Sequence, residues 1–316
     1  MESSPHTTTI IVNYNAGPLL LQASDSALHA NASTAPPATR VIVVDNASSD
    51  SSALHCALQF SNNPRFTLIS NATNLGFAAA CNIGAKAAMA ANSGHEANQI
   101  LFLNPDCTLE PQALWHLTHA LHSASDVGMV GGFLCNLDGS EQEGGRRTFP
   151  TPKQAFIRAF GLHKLAKWFP ALKQDFSLRN QPLPSKPVPV QAISGACMLV
   201  KREAIESVGL WDEGYFLHCE DLDWCMRFQQ AGWKILFVPQ AKVPHHKGAC
   251  SRSRPVFVEW NKHKGMLRFY RKFYRPKYSR ALWAAVVMGV WLRFSLLAGY
   301  HTVRNLQQAM KGKPNV

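Results

Sequence analysis

Asp45, Asp106, the acidic run Glu220-Asp221-Leu222-Asp223 and the pair His245-His246 are the residues of this 316-residue chain whose types and settings point to chemistry. Asp45 ends the run Arg40-Val41-Ile42-Val43-Val44 and leads into Asn46-Ala47-Ser48-Ser49-Asp50. A carboxylate there can accept hydrogen bonds from a base imide N–H or a ribose hydroxyl, or can serve as a turn and helix-capping residue. Asp106 closes Asn104-Pro105-Asp106 behind the apolar Ile100-Leu101-Phe102-Leu103. Mg2+ and Mn2+ take oxygen ligands and are often held by one or two carboxylates together with substrate phosphates. An Asp-containing turn opening the helix at Pro111 is the plainer alternative. The carboxylates at 220, 221 and 223 stand at a helix start, where the helix dipole stabilises acids of any role. The preceding Tyr215-Phe216-Leu217-His218 points to a partly desolvated mouth in which one of them can work as a general base. His245, at a strand end after Val243-Pro244, could complete a metal site, and adjacent His246 would point the other way.

These residues need a scaffold that brings strand ends together. Residues 10 to 135 alternate short apolar runs (10–12, 40–44, 66–69, 100–103, 127–134) with helical signals. The helical signals are Leu19 to Leu28, a segment after Ser48–Asp50 carrying Leu54, Ala57 and Leu58, the Ala-rich Gly76 to Ala91, and a helix opened by Pro111. Near-continuous apolar strands alternating with helices imply a parallel sheet covered on both faces. Ligands of such sheets sit beyond the carboxyl ends of the strands, where Asn13, Asp45 and Asp106 fall. After Gly144 the pattern changes to a basic, aromatic stretch, 146–178, and a proline-rich connector, 182–189. A strand is expected over 190–200, a helix over 220–231 and a strand over 233–238. No Gly-x-Gly-x-x-Gly or Gly-x-x-x-x-Gly-Lys loop occurs, so a metal must carry much of any phosphate neutralisation.

Nearly half of the chain (46%) is hydrophobic, which marks a globular protein. The N-terminal Met1 to Thr9 is polar and unlike a secretion signal, and eight cysteines without a Cys-x-x-Cys pair read as reduced, mostly buried thiols. A cytoplasmic setting is expected. The net charge of +12 is local: residues 251–316 hold fourteen Lys and Arg against the single acid Glu259, and the rest of the chain is close to neutral. Within that tail, basic residues interleave with Phe269, Tyr270, Phe273 and Tyr274, and Ala281 to Tyr300 is apolar except at Arg293 and Ser295. So much apolar surface argues for an anionic membrane surface and against nucleic acid. The uncharged run ends at Leu292, short of the ~20 residues of a span, so an interfacial amphipathic helix is expected, with 156–172 as a second contact.

Taken in order, Val12-Asn-Tyr-Asn15, Val43-Val-Asp-Asn-Ala-Ser-Ser-Asp50, Asn74-Leu-Gly-Phe-Ala-Ala-Ala-Cys-Asn82 and Phe102-Leu-Asn-Pro-Asp106 resemble family 2 glycosyltransferases of the GT-A fold. Ser194-Gly-Ala-Cys-Met-Leu-Val200, Gly209-Leu-Trp-Asp-Glu213, Phe216-Leu-His-Cys-Glu-Asp-Leu-Asp223 with Arg227, Ala231-Gly-Trp233 and His245-His-Lys-Gly248 continue the resemblance. It is closest to the rhamnosyltransferase-like branch that builds bacterial cell-surface polysaccharides. The resemblance implies a single Rossmann-like mixed α/β sheet in residues 1–250, with a nucleotide-binding half (10–135), an acceptor half (136–250) and a basic tail (251–316). It implies that Asp45 contacts the base or ribose of a nucleoside diphosphate-sugar, with Asn13 and Tyr14 walling the base and Asn46, Asn74, Gly76, Phe77 and Asn104 around the donor. Asp106 matches the last Asp of the family's Asp-x-Asp metal motif, where Asn104 replaces the first, and His245 matches the metal-binding His, with Mg2+ or Mn2+ as cofactor. Asp221 matches the catalytic base, with Glu220 as the alternative, and Trp211, Asp212 and Glu213 border a lipid-linked or saccharide acceptor. Asp223 and Arg227, four apart on one helix, read as a structural pair. The family inverts the anomeric centre, which implies one direct displacement. A catalytically silent nucleotide-sugar-binding scaffold is the competing reading. A glycosidase is disfavoured because its two carboxylates would not require nucleotide-pocket strand ends.

Overall fold

The computed structural model of the chain describes residues 6–30, 39–90, 97–159, 177–246, 248 and 254–310. Most of the 156–172 stretch expected at the membrane lies outside the described residues. The first half runs β1 (Thr7–Asn13), α1 (Leu19–His29), β2 (Arg40–Asp45), α2 (Ser52–Gln59), β3 (Phe66–Ser70), α3 (Phe77–Met89), β4 (Gln99–Leu103), α4 (Ala113–Leu121) and β5 (Val127–Cys135). Next come β6 (Arg146–Arg147), α5 (Pro152–Ala159), β7 (Val188–Pro189), β8 (Ala192–Ile193), β9 (Cys197–Lys201), α6 (Arg202–Val208), α7 (Glu220–Gln230) and β10 (Lys234–Pro244). Two helices, α8 (Pro255–Phe273) and α9 (Arg280–Met310), close the chain.

Eight strands form the main sheet in the order β3-β2-β1-β4-β9-β5-β10-β7. Alternation along each strand divides the core in two. Ile10, Val12, Ile42 and Val44 face a cluster that includes α3 and α7, whereas Ile11, Val41 and Val43 face α1 and α4. Every residue of β1, β4 and β5 is buried, as expected of strands covered on both sides.

The strands of residues 10–135 all run parallel, and the sheet as a whole is mixed, as the resemblance implies: β9 pairs antiparallel with both β4 and β5, and β7 antiparallel with β10. Two expectations need correction. The strand expected over 190–200 is two short strands, β8 and β9, broken by a turn at Ser194-Gly195-Ala196. β8 leaves the main sheet to pair with β6. Finally, Leu54 and Leu58 of α2 are 59% and 64% exposed, and the buried face of that helix carries Ser52 and Cys56.

The tail is no loose appendage. Phe269 and Tyr270 of α8 are fully buried beside α7, and Trp260 of α8 meets Trp291 and Phe294 of α9 at ring-centroid distances of 4.9 and 5.3 Å. The seven described cysteines are all free and buried.

Candidate active site

The carboxyl ends of β1 and β2 are locked to each other. Asn13 is fully buried, and its Nδ2 donates to Asp45 Oδ1 (2.7 Å), Ser52 Oγ (2.8 Å) and Ser48 Oγ (3.0 Å). Asn13 therefore stands behind the expected base pocket and aims Asp45, while half-buried Tyr14 is the neighbour with surface to offer a ligand. Asp45 Oδ2 accepts from the Ser48 N–H (3.2 Å), which leaves further lone pairs on the carboxylate for a ligand.

Asn46 carries the strand end to the next loop. Its Nδ2 donates to Asn74 Oδ1 (2.9 Å) and the Gly76 carbonyl (3.2 Å), and its Oδ1 accepts from Asn71 Nδ2 (3.1 Å) and the Leu75 N–H (3.0 Å). Gly76 has φ of +87°, and a Cβ there would lie 2.7 Å from the Phe216 carbonyl oxygen. Only glycine fits at this point. The adjacent Phe77 N–H donates to that carbonyl (2.9 Å), so the donor-side loop is fastened to the segment leading into α7.

At the end of β4, Asp106 and His245 converge. His245 Nε2 is 3.1 Å from Asp106 Oδ1, and both side chains are about nine-tenths buried. The backbone enforces the approach, since the His246 N–H donates to the Asp106 carbonyl (2.8 Å) and the Thr108 N–H to the Pro244 carbonyl (3.0 Å). Asp106, Cys107 and His245 form the cluster of potential metal ligands among the described residues. An octahedral ion with ligands at ~2.1 Å sets neighbouring donor atoms about 3 Å apart, so the carboxylate–imidazole pair fits a hard divalent cation. Cys107 is fully buried in the core behind the pair, where burial and the neighbouring Asp106 charge hold its thiol protonated. A protonated thiol is a poor metal ligand.

Asp221 lies at the first turn of α7, whose N-cap Cys219 and preceding His218 both take positive φ (71° and 69°). Its carboxylate receives three donors: Arg147 in a close ion pair, the Gly195 N–H (3.2 Å) and the Leu222 N–H (2.8 Å). Three donors leave one of the carboxylate's roughly four lone-pair positions for a substrate hydroxyl. The Ser194–Ala196 turn joins this carboxylate to the metal loop, because the Ala196 carbonyl accepts from the Asn104 N–H at 2.9 Å. Neighbouring Glu220 differs. Burial, reinforced by the Asp221 charge, raises its pKa well above the carboxylate range, and its Oε2 has no hydrogen-bond partner among the described residues.

Of the residues expected at the acceptor, Trp211 is buried, Asp212 half-buried and Glu213 exposed. Trp211 is 3% exposed and packs on Trp224 (ring centroids 4.2 Å apart), Phe102 and Phe77. Glu213 accepts from Asn82 Nδ2 (2.8 Å). Asp212 is paired with Arg268 (2.8 Å) and Lys272 (3.1 Å) of α8. Partial burial opposes its charge, but hydrogen bonds from Arg268, the Gly214 N–H and Lys272 prevail and lower its pKa to about 2. Asp223 and Arg227 form the expected ion pair (2.7 Å), with Lys272 a second partner of Asp223 at 2.7 Å.

Arg147, Gln142 and Lys272 enter the site unannounced by the sequence. Arg147 falls in the basic, aromatic stretch 146–178, where its Gly144-Gly145-Arg146-Arg147 setting is the available signal.

Comparison with known proteins agrees with the geometry. The family described as Glycosyl transferase family 2 matches residues 8–209, and Glycosyl transferase family group 2 matches residues 169–304. An N-acetylglucosaminyl-diphospho-decaprenol L-rhamnosyltransferase of Mycobacterium tuberculosis is 30% identical over 223 residues, covering 68% of this chain and 69% of that protein. Among solved structures, GalNAc-T7 with UDP, GalNAc and Mn2+ superposes with a TM-score of 0.60 at 16% identity, over 87% of this chain and 49% of the larger chain. The mannosyltransferase PcManGT of Pyrobaculum calidifontis, in complex with GDP-Man and Mn2+, superposes with a TM-score of 0.57 at 15% identity, over 99% of this chain and 77% of its own. Those two likenesses bear on the GT-A fold. With the matched residues spanning the strand ends that carry Asp45 and Asp106, and with a relative of this identity and coverage, the chain belongs to glycosyl transferase family 2 and is an enzyme of its rhamnosyltransferase-like branch.

Proposed function

We propose that the enzyme inverts the anomeric centre as it moves a rhamnose-like deoxysugar from a nucleoside diphosphate-sugar to a hydroxyl of a lipid-linked or saccharide acceptor. Cell-surface polysaccharide assembly on the inner face of the cell membrane is the setting, and Mg2+ or Mn2+ the cofactor. The name of the mycobacterial relative supports the deoxysugar and the lipid-linked acceptor. The observation that carries the mechanism is the Ser194–Ala196 turn, one residue of which bonds the metal loop at Asn104 while another bonds Asp221.

In this reading Asp45 holds the base or ribose, backed by Asn13 and flanked by Tyr14. Asp106 and His245 hold the cation, which when bound neutralises charge on the departing diphosphate. Asp221 takes the proton of the acceptor hydroxyl through its open lone pair. The freed oxygen bonds to the anomeric carbon from the face opposite the leaving group as the carbon–diphosphate oxygen bond breaks. Burial and the Asp221 charge favour the protonated form of Glu220, whereas Arg147 and two backbone N–H groups hold the Asp221 carboxylate, so the base role is given to Asp221. Arg147 and the Gly195 N–H hold the base in place.

The membrane half of the proposal rests on α9. Arg280–Asn305 is a 26-residue helix segment long and apolar enough to cross a bilayer, and no part of its most apolar window is buried. We read it instead as lying flat. Arg293 points to α8 and hydrogen-bonds His263 (2.9 Å), and Trp291 and Phe294 pack on Trp260, so one face is spent on the protein. The opposite face exposes Leu282, Met288, Leu292, Leu296, Tyr300 and Val303, with exposed Arg271, Lys277 and Arg280 nearby for anionic headgroups.

The test is nucleoside diphosphate release from a panel of thymidine- and uridine-diphosphate sugars, given a lipid-diphosphate saccharide acceptor and Mn2+ or Mg2+, with product configuration read by NMR. Release from a deoxysugar donor with inverted configuration is expected. Retention of configuration, or release unaffected by chelating the metal, would sink the mechanism.

A further inference from the structure

The segment between β5 and β6 folds back under the metal loop. The Gln142 N–H donates to the Leu134 carbonyl (2.9 Å), and Arg146 closes the segment on itself through Glu141, at 2.8 Å from Nε and 3.0 Å from Nη2. Arg147, at its far end, holds Asp221. Gln142 is 3% exposed, and its amide is fully committed.

Chemistry decides how that amide is oriented. One end faces the His245 carbonyl at 2.6 Å and the Cys135 carbonyl at 3.4 Å, both of which can only accept, so that end is the NH2 group. The other end, the Oε1 acceptor, faces His245 Nδ1 at 2.8 Å. A neutral imidazole bonded in this way must carry its proton on Nδ1, which leaves the Nε2 lone pair directed at Asp106 Oδ1, 3.1 Å away. Two lone pairs at that distance repel each other unless a proton or a metal cation joins them.

We infer that Gln142 is a positioning residue for the metal centre: it fixes the Nδ1–H tautomer and ring plane of His245 so that Nε2 and the Asp106 carboxylate present a ready pair of donors to a divalent cation. The inference rests on the metal reading proposed above. It adds that the readiness of the site resides in an amide outside the ligand set, reached through a carbonyl and a ring nitrogen of the same histidine. Partners that orient ligating histidines typically change metal affinity by 10- to 100-fold when removed.

The experiment titrates Mn2+ alone into the full chain, following the paramagnetic signal of the free ion, for the parent, Gln142→Leu, Gln142→Glu and His245→Ala. Leucine keeps bulk and loses both hydrogen bonds. Glutamate keeps the acceptor for Nδ1–H and loses the donation to the carbonyl. The expected result is a loss of about 10- to 100-fold in Mn2+ affinity for Gln142→Leu, approaching His245→Ala, with Gln142→Glu within about threefold of the parent. Thermal unfolding of each variant shows whether the fold is retained. Parent-like affinity in Gln142→Leu overturns the inference while leaving the metal site standing. Equal loss in the Leu and Glu variants overturns it too, because it assigns Gln142 to the carbonyl contact and not to the ring. A parent chain that takes up no Mn2+ overturns the metal reading and this inference together.

Discussion

Adjacent carboxylates at the start of α7 meet opposite environments. Asp221 is an ion-paired acceptor of three hydrogen bonds, whereas the Glu220 side chain is buried with one oxygen unpartnered. Asp221→Asn keeps the shape but cannot take the acceptor proton, so turnover should fall by about 10² to 10⁴ with donor affinity unchanged. Glu220→Gln should cost far less, and normal turnover in the Asn variant with a dead Gln variant would reverse the two roles. The same contrast has a pH signature. Because the folded pKa of Glu220 is raised, its contribution to stability is full below the ordinary carboxylate value of about 4.3 and is lost as pH rises through the folded value. Denaturant titrations at several pH values should show Glu220→Gln reducing the loss that accrues between about pH 4.3 and about 8; parallel curves for the two proteins would count against a buried, protonated Glu220. At the metal end, Asp106→Ala and His245→Ala should abolish or sharply weaken Mn2+-dependent binding of a nucleoside diphosphate, read by calorimetry, whereas His246→Ala should do little. Equal effects of the two histidine substitutions would leave the ligand unassigned. Asp45, Asp106 and His245 were legible as candidates because Asp45 and Asp106 follow runs of continuous apolar residues and His245 stands at a strand end, whereas Asp221 was set apart from Glu220 and Asp223 only by the resemblance. Gln142 and Arg147 were not, since an amide and a guanidinium inside a loop acquire meaning only from partners 103 and 74 residues away.

Elements join the site through their ends. The loop before α3 meets the segment before α7 where Gly76 lies against the Phe216 carbonyl. Gly76→Ala would impose a positive φ on a residue with a Cβ and drive that Cβ into the carbonyl oxygen. A stability loss of at least about 1–3 kcal/mol is expected, with weaker donor binding, because both halves of the site must shift. Denaturant unfolding together with donor titration measures it, and a variant with parent stability would show that the loop relaxes freely. Strand positions in β1 to β5 were readable from runs of β-branched and aliphatic residues, and helices α1, α3, α4 and α7 from their spacing. The insertion of β9 between β4 and β5, and the break at Ser194-Gly195-Ala196, were not, because both depend on long-range pairing that no local window contains. That break is also where chemistry resides: the turn gives its Gly195 N–H to Asp221 and its Ala196 carbonyl to Asn104, which an unbroken strand would spend on its neighbours.

At the scale of the whole molecule, charge and apolar surface are segregated, and α8 mediates between them. Its Arg268 and Lys272 bind Asp212 and Asp223 of the catalytic part, its Phe269 and Tyr270 enter the core, and its Trp260 and His263 receive α9. Deleting everything after Lys277 is therefore a blunt test of membrane attachment, since it also uncovers Trp260 and removes Trp283 and Val286 from the edge of the core. Substitution on the outer face separates the two effects. Leu292 and Leu296 are 53% and 62% exposed, one turn apart, and touch the solvent side alone of the helix they share. Leu292→Glu with Leu296→Glu should leave the unfolding transition and donor binding unchanged, because neither side chain contributes to the core. Placing two carboxylates at the headgroup boundary opposes both the apolar and the electrostatic parts of attachment. Flotation with vesicles containing anionic phospholipid should show the parent bound, the double variant released, and the parent itself weakened by high salt or by neutral phospholipid. A double variant that floats as well as the parent would move the membrane contact away from the outer face of α9. Binding that withstands salt and alkaline carbonate extraction would mean that α9 crosses the bilayer, and Arg293 would then have to leave His263 or carry it into the membrane.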